Sequence, residues 1–149
     1  MSASNASESD ILKLLFQNVN IANLGDATGV RGSSTAGSLY VALHTADPGE
    51  TGDQTTNEIS YTGYGRVAVP RTNTDWTVSG TAPTQVANAA AVTFGACTAG
   101  SGTATHFSVG FATSGASQIL GSAALTASLA ISAGITPSFA ANALVVNLD

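Results

Sequence analysis

The chain has 149 residues, a formal net charge of −5 and only 9% charged residues, where ordinary soluble domains carry about 25%. That length suits one core rather than two. Its four cations (Lys13, Arg31, Arg66 and Arg71) are too scattered to neutralise a phosphate backbone, which excludes a nucleic-acid binder. The single Cys97 excludes an internal disulfide and a cysteine-rich zinc site. No basic n-region opens the chain, and no apolar run approaches the roughly 20 residues of a membrane span. A soluble protein made in the cytosol is expected, with no membrane contact. Ala, Gly, Ser, Thr and Asn replace the missing charges, and such a surface suits a protein whose faces are covered by copies or partners. A lone β protein with Thr- and Ser-decorated strands would read the same way.

Residues 1–9 are polar and small, a composition that stays disordered unless a neighbour orders it. Asn5-Ala6-Ser7 fits a glycosylation sequon, discounted here for want of a secretion signal. Ser7 followed by Asp10 resembles a helix N-cap with an acid near the positive end of the macrodipole. A helix is predicted from about Asp10 to Asn18 or beyond, with Gly25 as its stop. Ile11, Leu12, Leu14, Leu15, Phe16 and Val19 give it an apolar face wider than one stripe. A helix this short is marginal alone in water, so it must pack on its own sheet or dock on an adjacent subunit. Residues 26–37, rich in Gly, Ser and Thr, read as a flexible connector. The chain therefore divides into an arm, helix and connector (1–37) and a β domain (38–149).

The stretch 38–71 organises the rest. Leu39, Val41 and Leu43 alternate with Tyr40, Ala42 and His44, the period-2 signature of a strand with one face in a core. Residues 46–57 hold Pro48, Gly49 and Gly52 among Asp47, Glu50 and Asp53, and are expected to loop into water. Alternation resumes from Tyr64 to Pro70. Thr62-Gly63-Tyr64-Gly65 reads as a Gly-assisted turn or bulge leading into that strand. Trp76 follows as a core or rim plug. Strands are then predicted over 87–96, 103–113, 119–126 and 128–132, with Pro137 marking 135–139 as an edge strand and 143–148 closing the chain. The total of about eight strands, with turn signals at short intervals, is the pattern of an all-β sandwich or jelly roll with one N-terminal helix.

Little in the chain suggests chemistry. His44 and His106 both fall on small-residue strand faces and read as satisfied structural histidines. No Gly-x-Ser-x-Gly elbow positions a nucleophile, and no glycine-rich phosphate loop is present. The loop acids Asp47, Glu50, Asp53 and Glu58 do not match an EF-hand spacing. They read as a solvated loop, or as a contact for a basic patch on a partner. No catalytic residue, metal or cofactor is expected, and an enzyme is the losing hypothesis.

The run SLYVALHTADPGETGDQTTNEISYTGYGRVAVPR over 38–71 resembles a family of small tailed-bacteriophage virion proteins, described either as tail-fibre-like or as head cement (decoration) proteins. The similarity continues through Thr105-His106-Phe107-Ser108-Val109-Gly110, through Gly115-Ala116-Ser117 and through Phe139-Ala140-Ala141-Asn142-Ala143-Leu144. It covers most of the chain after Leu39 and is weaker before it. It implies a jelly-roll or β-sandwich protein, usually a homotrimer, built in many copies into the virion. In the cement role, members bind the outer surface of the major capsid protein lattice and stabilise the head. The alternative is a tail-fibre or tail-associated module engaging a host surface. The residues expected to reach a partner are Ile11, Leu12, Leu15 and Phe16 of the helix and Asp47, Glu50, Asp53 and Glu58 of the loop. Arg66 and Arg71 are expected to pair with those acids, within the chain or on a neighbouring copy. Deleting residues 1–18 is expected to leave the sandwich folded but to weaken incorporation into particles.

Overall fold

The computed structural model describes residues 3–22, 32, 34–81 and 83–148. The predicted stop at Gly25, Arg31 and most of the connector lie outside those residues. Among them the chain forms α1 (Asn5–Gln17), β1 (Ser38–His44), β2 (Val67–Pro70), β3 (Trp76–Ser79) and β4 (Thr84–Asn88). It continues with β5 (Val92–Thr93), β6 (Ser101–Gly110), β7 (Ile119–Ser132), β8 (Ser138–Phe139) and β9 (Val145–Leu148). The strands pair antiparallel throughout. They form a four-stranded sheet in the order β2-β1-β6-β7, a three-stranded sheet β3-β4-β9 and a two-stranded ribbon β5-β8. The result is the all-β sandwich with one N-terminal helix that the alternation predicts.

The inward face of β1 sets the core. Leu43 lies opposite Phe107 and Val41 opposite Val109, and all four are buried. Trp76, Val86 and Val146 close on them from the second sheet. Burying each such side chain contributes roughly 1.5–3 kcal/mol. The segment predicted as one strand over 87–96 is instead two short strands broken at residues 89–91. Residues 119–132 form one strand rather than two, because a register shift opposite Ala104 and His106 absorbs the extra residues of β7 without ending its pairing. Strand β6 ends at Gly110, three residues short of the predicted 103–113 strand, and Phe111 just beyond it is exposed.

The helix begins a turn earlier than its cap signal. Ser4 is the N-cap and its Oγ accepts from the Ser7 N–H at 3.3 Å, so Ser7 is the recipient of the cap rather than its source. Asn18, at φ 58°, closes the helix in the left-handed region well before Gly25. Of the two seats considered for the apolar face, the structure shows the chain's own sheet. Leu12 and Phe16 are buried in the common core, and the Phe16 ring meets Trp76 edge-on at 4.9 Å. Polar bonds fix the seat. Thr84 Oγ1 donates to Glu8 Oε2 at 2.9 Å, and Gln17 Nε2 donates to the Trp76 carbonyl at 2.9 Å. Arg71 donates from Nε to the Leu15 carbonyl at 2.7 Å and from Nη2 to the Leu14 carbonyl at 2.8 Å. A cation at the carbonyl end of a helix also complements its dipole.

Candidate functional site around Arg66

The acidic loop does not stand off in water. Thr45 N donates to Asn57 O at 2.8 Å and Ile59 N to Leu43 O at 2.9 Å, so the loop's two ends are zipped at the end of β1. Its middle folds back: Gln54 N donates to Ser117 O at 2.9 Å, and both Gln54 and Pro48 are buried. The expectation of a fully solvated segment is thus corrected. The loop has a carboxamide and a proline to bury, and the outward face of β1 and β6 offers the room. Gly110 makes that room. A Cβ there would collide with the Gln54 carboxamide and come within 2.8 Å of the Gln118 carbonyl. Gly110→Ala is expected to lower stability by about 1–3 kcal/mol through overpacking, read as a lower midpoint in urea, with the loss of order concentrated in the loop.

Beneath the loop, Arg66 is the hub of a buried polar cluster. Its side chain is 1% exposed and that of Glu58, its partner, 17%. Nε and Nη2 grip the two carboxylate oxygens of Glu58 at 2.7 and 2.8 Å, the bidentate fork to which a guanidinium is suited. Nη2 also donates to Gly115 O at 2.8 Å, and Nη1 to Ala112 O at 3.1 Å and Gln54 Oε1 at 3.2 Å. Five bonds match the five N–H donors of the group. The bonds to Glu58 hold the Arg66 guanidinium above its ordinary pKa. Tyr64 donates to Glu58 Oε1 at 2.9 Å and accepts from Leu43 N at 3.1 Å. Burial, with Glu58 beside it, pushes the Tyr64 phenol far above its usual range.

A second chain of bonds joins the cluster to the sheet. Gln54 Nε2 donates to Tyr40 O at 2.9 Å and to Ser108 Oγ at 3.3 Å. Ser108 Oγ lies 2.7 Å from His44 Nε2, and His44 Nδ1 lies 2.8 Å from Thr56 O. A carbonyl only accepts, so Nδ1 carries the proton and Nε2 accepts from the serine hydroxyl. His44 is therefore satisfied as the neutral imidazole. Both His44 and Ser108 are 0% exposed. No substrate reaches the Ser-His pair in this conformation, close as its geometry is to a nucleophile and base.

The remaining predicted residues fall into two groups. Asp47 and Glu50 are exposed, as is Ile11, while Asp53 and Leu15 are half-buried. Asp47 and Glu50 line a groove of about 430 Å³ whose other wall is residues 118–122. The Asp53 carboxyl is held below its ordinary pKa by the Thr55 hydroxyl and backbone N–H, which bond it at 2.5 and 2.7 Å. Leu12, Phe16, Glu58 and Arg66 are taken up inside the molecule, as the carbonyl bonds take up Arg71. In this conformation those five side chains pack or bond within the molecule. Arg66 pairs with a loop acid within the chain, one of the two arrangements foreseen, whereas among the described residues Arg71 bonds carbonyls and pairs with no acid. Thr62-Gly63 lies in a turn closed by Tyr64 N to Tyr61 O at 3.0 Å, with Gly63 at φ 101°. Gln54 and Ser108 were missed. Only the shared outward parity of His44 and Ser108 on paired strands hinted at the serine, and nothing hinted at Gln54.

Among the described residues no three His, Cys, Asp or Glu side chains gather as metal ligands would, and no helix is long and apolar enough to cross a membrane. A β sandwich whose strongest polar groups bond inward has the build of a structural module. The chain belongs to the family described as podophage GP4 fiber I protein gp80, whose family model matches residues 2–147. It is a structural virion protein of a tailed phage. No curated protein matches the chain.

Proposed function

We propose that this protein is a rigid, non-catalytic building block of a phage fibre, joined to further copies of itself and to the virion body. The observation that carries the reading is the inward use of its polar groups. Arg66 and Arg71 both bond within the chain, and Glu58 bonds to Arg66. The acids Asp47 and Glu50 remain outside, and the exposed strand positions are mostly small and neutral. The aromatic residues argue against a receptor-binding role for the module itself. Trp76 and Tyr61 are buried, Tyr40, Tyr64 and Phe139 are half-buried, and Phe111 is the one exposed aromatic ring among the described residues, a sparse surface for stacking on a sugar. A fibre component that supports others fits this better than one that grips the host. The family description favours the fibre over the capsid lattice.

The cement reading has one observation in its favour. A low-charge exterior with an acidic rim suits many modest contacts repeated over a shell, where avidity replaces tight binding. Gold-labelling of a C-terminal tag on purified particles separates the two. Label confined to fibres is expected; label spread over the head would overturn the fibre reading in favour of cement. Light scattering of the purified chain is expected to give a trimer.

A further inference from the structure

We infer that the 45–58 loop is an acid-opened clasp and that His44 is its sensor. The loop covers the outward face of β1 and β6 with little apolar surface. Within 45–57 only Pro48 and Gln54 are buried, and its attachments are the hydrogen bonds described above. Two of those bonds run through His44, which ties Thr56 of the loop to Ser108 of β6. A segment held mainly by polar bonds opens locally before the core does.

Protonation of Nε2 reverses the bond to Ser108. The 2.7 Å gap would then hold two hydrogens, the serine hydroxyl and the new N–H. The serine would have to turn its proton elsewhere, while its oxygen already receives Gln54 Nε2. A positive charge would also stand at a site with no exposure. The groups that face it come from every neighbouring element. The loop supplies Thr56 O and Glu58, β6 supplies Ser108 and His106, and the segment before β2 supplies Arg66. Glu58 is the one anion among them, and Arg66 grips both its oxygens.

Burial holds the His44 pKa below its ordinary 6.5, as do Arg66 and His106, against the opposing pull of Thr56 O and Glu58. The direction of the pH effect follows. Above about 6.5 both open and closed forms carry a neutral ring, and the clasp keeps its full stability. As pH falls below that value the open form takes up the proton first, and stability is lost progressively until the closed form's own, lower pKa is passed. Opening frees Gln54 from the sheet and exposes Ser108 and the backbone of Tyr40, so the module presents a different face in acid.

Amide hydrogen exchange on the full chain, corrected for intrinsic rates, tests this between pH 7.5 and 5. The loop amides of Thr45, Gln54 and Thr56 are expected to lose at least tenfold protection while β6 amides keep theirs. His106→Gln is expected to behave like the wild type, and His44→Gln to show no pH-dependent step. An imidazole NMR titration of the wild type gives a second reading that needs no variant. The fall in loop protection must level off at the midpoint of the His44 ring. Loop protection unchanged to pH 5, loop and β6 amides lost together, or a fall that levels off at the His106 midpoint instead would each overturn the proposal.

Discussion

Arg66→Met is expected to destabilise the protein by about 3–5 kcal/mol, the cost of leaving one member of a buried ion pair without its partner. The side chain keeps most of its volume but withdraws the fork from Glu58 and the donors from Gln54, Ala112 and Gly115. Among the described residues the Glu58 carboxylate then keeps only its bond from Tyr64, in a place where 17% of its side chain meets water. Urea unfolding at pH 7.5 reads the loss. Arg66→Lys is expected to recover only part of it, since an ammonium cannot reproduce the planar fork. The double variant Arg66→Met with Glu58→Met is expected to be more stable than Arg66→Met alone, because no orphaned charge remains. If the double variant loses the sum of the two single losses, the pair is not coupled as described.

Phe16→Ala is expected to cost about 3–5 kcal/mol, the range for removing a large buried ring. The helix holds Phe16 against Trp76 with 1% exposure for each, and nothing else in the described chain replaces that ring. The loss should appear in thermal unfolding and as a shift of tryptophan emission to longer wavelength as water reaches Trp76. The same reasoning revises the expectation for removal of residues 1–18. Leu12 and Phe16 belong to the common core, so deletion uncovers the face of β3 and β4 and is expected to yield an unstable or aggregating protein. Ile11→Ser, on the exposed side of the same helix, is expected to change stability by less than about 0.5 kcal/mol. A stable, monodisperse deletion variant would show that the helix is dispensable after all.

The sandwich was legible because alternation is a local property. Leu39, Val41 and Leu43 declare their common face whatever lies elsewhere, and the later strands do the same with less contrast. What covers the other face of β1 was not legible. Gln54 sits among Asp, Thr and Gly, and nothing nearby distinguishes a carboxamide destined for burial from one in water. Its burial follows from Gly110, more than 50 residues away along the chain, and only the fold brings the two together. The helix cap stands one turn earlier than predicted because Ser4 and Ser7 offer equal capping chemistry, and the sequence alone does not rank them. The acids of the 46–57 loop were read as a set, yet the set divides. Asp47 and Glu50 face water, while Asp53 is tied to Thr55 beside them. Glu58, one residue past the hairpin-like closure at Asn57, points into the cluster because the bridge to His44 turns it there.

The bonds that lock Arg66 also fix an order of events during synthesis. Its carbonyl acceptors at Ala112 and Gly115 lie 46 and 49 residues further along, and Thr84 meets Glu8 across 76. Contacts so distant in the chain must wait for a large loss of chain entropy before they contribute anything, which places such proteins among the slower folders. The first helix therefore leaves the ribosome long before its seat exists, and its greasy side remains open to other nascent chains for that interval.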